Sequence, residues 1–302
     1  MKRKSKFNRA TGSDMVLDII VYVLMITVFI VTIYPFYYAI ILSFNDGLDA
    51  IKGGIYFFTR KFTLNNYKAV MSIDYIYTAM LVTIARTVIG TFCSLFFTAL
   101  FAYSISHEDL ILRKTYIVLL MITMYFSGGL IPYYMLLKQI GLMNKFIVYI
   151  IPLLLNAFNA IIMTSFFREI PDALEDAAKI DGAGYTKTFF KIILPVSMPM
   201  LATLALFIGV GHWNAWTDAA FFVTDKDLKT LGFVLISLIN QTEAAARLQE
   251  AGAMGTMNLS TNSLTAETLR PAAMLVAVIP IIMIYPFLQK YFVKGMMIGS
   301  IK

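Results

Sequence analysis

Pro171-Asp-Ala-Leu-Glu-Asp-Ala-Ala-Lys-Ile-Asp-Gly-Ala-Gly-Tyr-Thr-Lys-Thr-Phe-Phe-Lys-Ile-Ile-Leu-Pro195 is a polar island between two long apolar stretches. It carries charge, small residues and helix punctuation in a fixed order. If its flanks cross a membrane, an island of this kind is read as the place where a soluble partner takes hold.

The flanks have the composition to cross. Hydrophobic residues make up 59% of the 302 positions and charged residues 14%, against about 45–50% and about 25% in soluble domains. A bilayer-spanning helix needs about 20 mostly apolar residues. Six stretches qualify: Met15–Leu42, Tyr75–Ser104, Thr115–Leu136, Phe146–Phe167, Ile193–Phe222 and Pro271–Leu288. Because no unpaired backbone group can face lipid, the expected fold is all-α and polytopic, a bundle of six transmembrane helices. One transmembrane domain is expected over residues 15–302, after a basic segment at 1–14. Lys2, Arg3, Lys4, Lys6 and Arg9 followed by an apolar run suggest a signal peptide. A cleavable signal, however, has an apolar region of only about 7–15 residues and then a small-residue site. Here the run continues past Pro35 to Leu42, so it is read as an uncleaved first span.

Lys and Arg accumulate in cytoplasmic loops. With the N-terminus inside, segments 1–14, 105–114, 168–192 and 289–302 hold 14 of the 25 basic residues, and the longer outer segments 43–74, 137–145 and 223–270 hold 10. Both termini are therefore expected in the cytoplasm of a multi-pass cell-membrane protein. The net charge of +7 then reads as topology and attraction to anionic lipid, with no nucleic-acid partner. Cys93 is alone and lies in the second span, so no internal disulfide framework can form.

On this orientation the island is the cytoplasmic loop 168–192. Pro171 suits the first position of a helix, and Asp172, Glu175 and Asp176 favour the positive end of its dipole. Ala177 and Ala178 leave a smooth face, and Gly182 and Gly184 offer left-handed positions that end the helix. A second amphipathic segment from Thr186 leads into the fifth span.

Asp176-Ala-Ala, three residues, Gly182, nine residues, Ile192, one residue and Leu194-Pro195 resembles the EAA motif of ABC-importer permeases. The wider string resembles the carbohydrate-uptake branch represented by the second permease of the maltose importer. Phe62-Thr-Leu-Asn-Asn-Tyr67 resembles its first outer loop, and Gly211-His-Trp-Asn-Ala-Trp216 its fifth span. Ser127-Gly-Gly-Leu-Ile-Pro-Tyr-Tyr134 is similar to permeases for complex oligosaccharides in Gram-positive bacteria. The resemblance implies a type I ABC importer permease fold. It also implies a coupling helix over Leu174, Glu175, Asp176, Ala177, Ala178, Asp181, Gly182 and Ala183 that docks on a cytoplasmic ATPase. The family usually has Glu where Asp176 stands, so either Asp176 or the adjacent Glu175 is expected to make the contact. Implied partners are a homologous second permease forming a heterodimer, two ATPase subunits, an extracellular solute-binding protein, an oligosaccharide and the bilayer. ATP and Mg would be held by the ATPase, with no cofactor in this chain.

Absent motifs agree with that division of labour. There is no Gly-x-x-x-x-Gly-Lys-Ser/Thr phosphate loop and no Gly-x-Gly-x-x-Gly. His107 and His212 head no metal-ligand spacing. The chain is read as a transport subunit with no catalytic residues and no metal.

Polar residues within spans tend to face the bundle interior or a water-filled cavity. Asn156, Asn159, Trp213, Asn214, Trp216 and Asp218 are candidates for the substrate path, since aromatic rings stack on sugar C–H faces and amides bond hydroxyls. The alternatives are an interfacial aromatic belt and ties between helices. Arg86, within the second span, can pair with Asp218, snorkel, or meet a partner subunit. Asp225–Asn240 has apolar periodicity and is read as lying along the surface. By family resemblance Gly252–Asn262 would enter the sugar cleft of the binding protein; a solvated connector is the other reading. The tail Lys290–Lys302 reads as an ATPase contact or as basic anchoring. A competing function is a stand-alone secondary transporter or channel for a small polar solute. That would need carboxylates within the spans, and only Asp218 is available.

Overall fold

Among the described residues all regular elements are helices, apart from one isolated bridge between Asn45 and Phe62. The computed structural model describes residues 12–250 and 264–298. The basic start at 1–11, the 252–262 stretch with its implied binding-protein contact, and positions 299–302 of the tail lie outside the described residues.

Ten helices carry the architecture: α1 (Gly12–Ser43), α2 (Ile76–Ser106), α3 (Arg113–Tyr125), α4 (Leu130–Gln139), α5 (Ala157–Arg168), α6 (Asp172–Ile180), α7 (Met198–Asn214), α8 (Thr217–Phe222), α9 (Leu231–Glu250) and α10 (Ala266–Ile298). Among the described residues, three unbroken stretches are long and apolar enough to cross a membrane: Met15–Ser43, Ile76–Ser106 and Ala266–Met283. The number reaches six only if each of three bent pairs is one crossing.

Each bend has a local cause. The 120° bend between α3 and α4 falls at Ser127-Gly128-Gly129, where Gly129 takes φ +80°, a conformation cheap only for glycine. The 48° bend between Phe146–Leu153 and α5 follows a 3-10 turn containing Pro152. The 80° bend between Tyr185–Val196 and α7 falls at Ser197, between Pro195 and Pro199. Neither proline can donate to the helix ladder.

The last bend corrects the expected fifth span. Ile193–Val196 belong to the helical segment before the bend, α7 begins at Met198, and the chain breaks again at Ala215 and Trp216 before α8. Asp225–Asn240, expected along the surface, is exposed at Asp225–Asp227 and at Asn240 and turns one apolar face inward. It contains a 3-10 turn at Lys226–Leu228 and then α9, whose Leu231, Val234 and Leu235 are buried.

Contacts divide the chain into two compact units, residues 1–70 with 242–275 and residues 71–241 with 276–302. In the first, buried Asn66 gathers the chain after α1: its Nδ2 donates to the carbonyls of Ser43 (2.8 Å) and Asn45 (2.9 Å), and its Oδ1 accepts from Thr268 (3.0 Å). Asn45 donates to Asp49, and Arg60 adds an ion pair at 3.0 Å. Asn45 first and then Arg60 outweigh burial and hold the Asp49 carboxyl below its ordinary pKa.

In the second unit α5 and α7 pack on α2. Ala99, Ala102 and Tyr103 of α2 meet Met163 and Phe167 of α5, Leu201, Leu204 and Ile208 of α7, and Phe189 and Ile193 from the island. Small residues let helices approach closely in lipid, where packing supplies most of the attraction. At Gly90 the helices leave no room for a side chain: a Cβ there would lie 2.6 Å from the His212 ring. Gly90→Ala is expected to destabilise the chain by about 1–3 kcal/mol through overpacking. His212→Ala in the same chain should recover part of the loss. Thermal unfolding of the detergent-solubilised protein measures both.

Candidate functional site

Helix α6 is built as a short, firmly ended rod. Pro171, in an extended conformation, precedes it, so the first helical residue is Asp172, one later than the sequence suggests. At the other end Gly182 takes φ +74°. Its N–H bonds to the Lys179 carbonyl (3.0 Å) and that of Ala183 to the Ala178 carbonyl (2.8 Å), the paired bonds of a left-handed glycine cap. Gly184 is not left-handed. At φ −77° and ψ 169° it is extended and starts the turn Tyr185–Thr188.

The two carboxylates in question point in different directions. Glu175 is half-buried, and its Oε2 lies 3.0 Å from His107 Nε2. His107 Nδ1 lies 2.8 Å from the Tyr103 carbonyl. Both ring nitrogens thus face acceptors, and a neutral imidazole has only one N–H to donate. Tyr185 packs edge-on against the His107 ring and donates to Asp109 at 3.3 Å. Asp176 is on the exposed side and meets only Lys179, at 3.3 Å one turn along. That carboxylate holds the Lys179 ammonium above its ordinary pKa. Asp172, Leu174, Ala177, Asp181 and Gly182 are exposed, Ala183 is half-buried and Ala178 is buried.

A π-turn at Phe189–Ile193 then carries both terminal residues of that turn into the core against α2. The island is therefore connected to the spans twice, through this turn and through the His107–Glu175 contact.

A second polar cluster lies where α7 breaks. Arg86 is fully buried on α2. Its Nη1 donates to the Ala215 carbonyl at 2.9 Å, its Nη2 pairs with Asp218, and its guanidinium lies 4.6 Å from the centre of the Tyr149 ring. Of the three alternatives for Arg86, this chain adopts the Asp218 pair. Around it the path candidates are dispersed. Trp213 is buried and its indole donates to the Ala277 carbonyl of α10 at 3.1 Å. Asn214 and Trp216 are exposed. Asn156 is exposed and caps α5, its Oδ1 accepting the Asn159 N–H at 3.1 Å, while Asn159 itself is buried.

His107, Tyr149 and Tyr185 escaped the sequence reading. The available signal was the polar triplet His107-Glu108-Asp109 directly after the second apolar run, on the same expected side as the island. Among the described residues no group of three His, Cys, Asp or Glu side chains could hold a metal ion.

Comparison with known proteins places this geometry in a family. The model of the binding-protein-dependent transport system inner membrane component matches residues 7–298, so the chain belongs to that family. It is 36% identical over 287 residues to the polygalacturonan/rhamnogalacturonan transport system permease protein YtcP of Bacillus subtilis strain 168, covering 94% of this chain and 98% of that protein. It is 37% identical to protein LplC of the same organism over 273 residues, 90% of each chain. A crystal structure of a bacterial ABC transporter involved in the import of the acidic polysaccharide alginate superposes with a TM-score of 0.81 at 28% identity, over 93% of this chain and 98% of that one. The chain is thus a membrane permease of the ABC importer class, with the fold that its resemblance implied.

Removing one partner of a buried ion pair strands the other charge and costs about 3–5 kcal/mol. Arg86→Ala and Asp218→Ala should each lower thermal stability and transport on that scale. The exchange Arg86→Asp with Asp218→Arg should recover more than either reversal alone, measured by uptake and thermal unfolding.

Proposed function

We propose that this chain moves a uronate-containing oligosaccharide across the cell membrane, driven by ATP hydrolysis on partner subunits. The observation that carries the reading is the division of labour on α6. Glu175 is engaged internally with His107, whereas Asp176 and Ala177 are exposed on a helix tied to the core of the spans. An exposed carboxylate on a rigid rod can pair with a basic side chain of an ATPase and pass its displacement to α2 and α7. In this reading Asp176 makes the contact and Glu175 orients the helix. ATP and Mg reside on the ATPase, in keeping with the missing phosphate loop.

A homologous second permease, two ATPases and an extracellular binding protein complete the assembly, with both termini of this chain in the cytoplasm. The acidic character of the sugar is supported by relatives named for polygalacturonan and rhamnogalacturonan and by the alginate importer. Asn214 and Trp216, exposed beside the break after α7, are the side chains suited to line the path. Trp213, Asn156 and Asn159 act chiefly in holding helices. The secondary-transporter reading loses ground, because Asp218, the carboxylate it would need, is paired with Arg86.

Gly182→Val should uncouple the machine, since a β-branched residue is strained at φ +74°. The assembled complex is expected to keep basal ATPase activity and lose stimulation by the sugar-loaded binding protein. Asp176→Asn should weaken ATPase co-purification, while Glu175→Gln leaves co-purification intact and lowers transport. Equal loss of ATPase binding in both carboxylate variants would reverse the assignment.

A further inference from the structure

The segment after α1 does not leave along the direction of that helix; it folds back alongside it. Ile55 is buried against Ile41 and Ala50. The Tyr37 hydroxyl then donates to the Phe57 carbonyl at 2.6 Å, and the Tyr34 hydroxyl makes a longer contact of 3.4 Å with the Tyr56 carbonyl. Arg60 closes the loop from the other side, donating to the carbonyls of Asp49 (2.9 Å) and Gly53 (2.8 Å). The backbone of 55–58 is thereby held at a defined level, with the side chains of Tyr56, Phe57 and Phe58 turned outward at 59%, 65% and 79% exposure.

That level can be measured along the helix. Tyr37 precedes the helix end at Ser43 by six residues and Tyr34 by nine, about 9 and 13 Å at 1.5 Å per residue. Helical side chains lean towards the N-terminus, so the loop lies at least that far below the end. The apolar stretch Met15–Ser43 has 29 residues, about 43 Å of helix, against a hydrocarbon core of about 30 Å. Shared between both ends, the excess is about 6–7 Å each. The three rings therefore fall at, or a few ångströms inside, the boundary between headgroups and hydrocarbon. Lys52 and Lys61, both exposed, bracket them. Aromatic rings flanked by cations are the composition of a membrane interface, whereas the centre of a protein–protein contact is depleted of charge.

We propose that residues 55–58 form a preformed lipid anchor, with Tyr56, Phe57 and Phe58 inserted into the leaflet at the C-terminal end of α1. The anchor fixes the depth of α1. Unlike a flexible amphipathic loop, it binds with its backbone already ordered, so insertion has no further ordering cost.

The test is site-directed spin labelling of the complete importer in nanodiscs of phosphatidylethanolamine and phosphatidylglycerol. The complex carries Cys93→Ser and cysteine-free partner subunits. Phe57→Cys and Phe58→Cys are labelled separately, with Val28→Cys as a mid-span reference and Lys61→Cys as an aqueous one. At 57 and 58 the ratio of oxygen to nickel-chelate accessibility should rise well above that at Lys61 and approach that at Val28. A nickel-favoured ratio would place the loop in water. Low accessibility to both reagents would place it under protein, such as a second permease. Either result overturns the proposal.

Discussion

Inside a bilayer every break in a helix leaves backbone groups that water cannot satisfy, and the second unit of this protein is organised around meeting that demand. The Ala215 carbonyl, freed where α7 ends, is taken by Arg86. The carbonyls of Ala219 and Val223, at the end of α8, are taken by the buried Lys229 ammonium. Tyr149 donates to the Leu228 carbonyl at 2.8 Å, and Asn156 accepts at the start of α5. Polar side chains that would be costly alone in lipid are here the substitutes for missing ladder bonds. This explains why Arg86 is tolerated with no exposed surface: its charge is met by Asp218, and Nη1 donates to the Ala215 carbonyl freed by the broken helix.

The same breaks divide the spans into shorter rods. The spans are interrupted at Gly129, at Asn156 and at Ser197, so each bent pair is built of two rods. The polar island lies next to the last of these breaks. Its π-turn seats Phe189 and Ile193 against Ala99, Ala102 and Tyr103 of α2, while His107, from the end of that same α2, reaches Glu175. The island therefore contacts one helix, α2, at two points.

Several features were legible from the residues in order. The apolar runs specified a membrane protein with helices only, because lipid allows an open chain no other spanning structure. The island's glycine at 182 specified a left-handed helix end, because the turn needs φ above zero and glycine adopts it without strain. The spacing around Asp176 pointed to the permease family, which the match over residues 7–298 establishes. Hydropathy could not resolve the bends, since an apolar run reads the same whether straight or folded at a proline.

Composition and spacing alone, then, determined the solvent this chain folds in, its helical class and the position of its polar island. Tertiary structure decided which way each polar group faces. Glu175 and Asp176 are neighbours with the same charge, yet one meets His107 and the other lies exposed beside Lys179, because a helix turns about 100° per residue. Trp213 and Trp216 likewise share a short motif, but only the first is buried against α10. Direction of this kind depends on partners distant in sequence, as with Arg86 and Asp218, and such partners have no local signature.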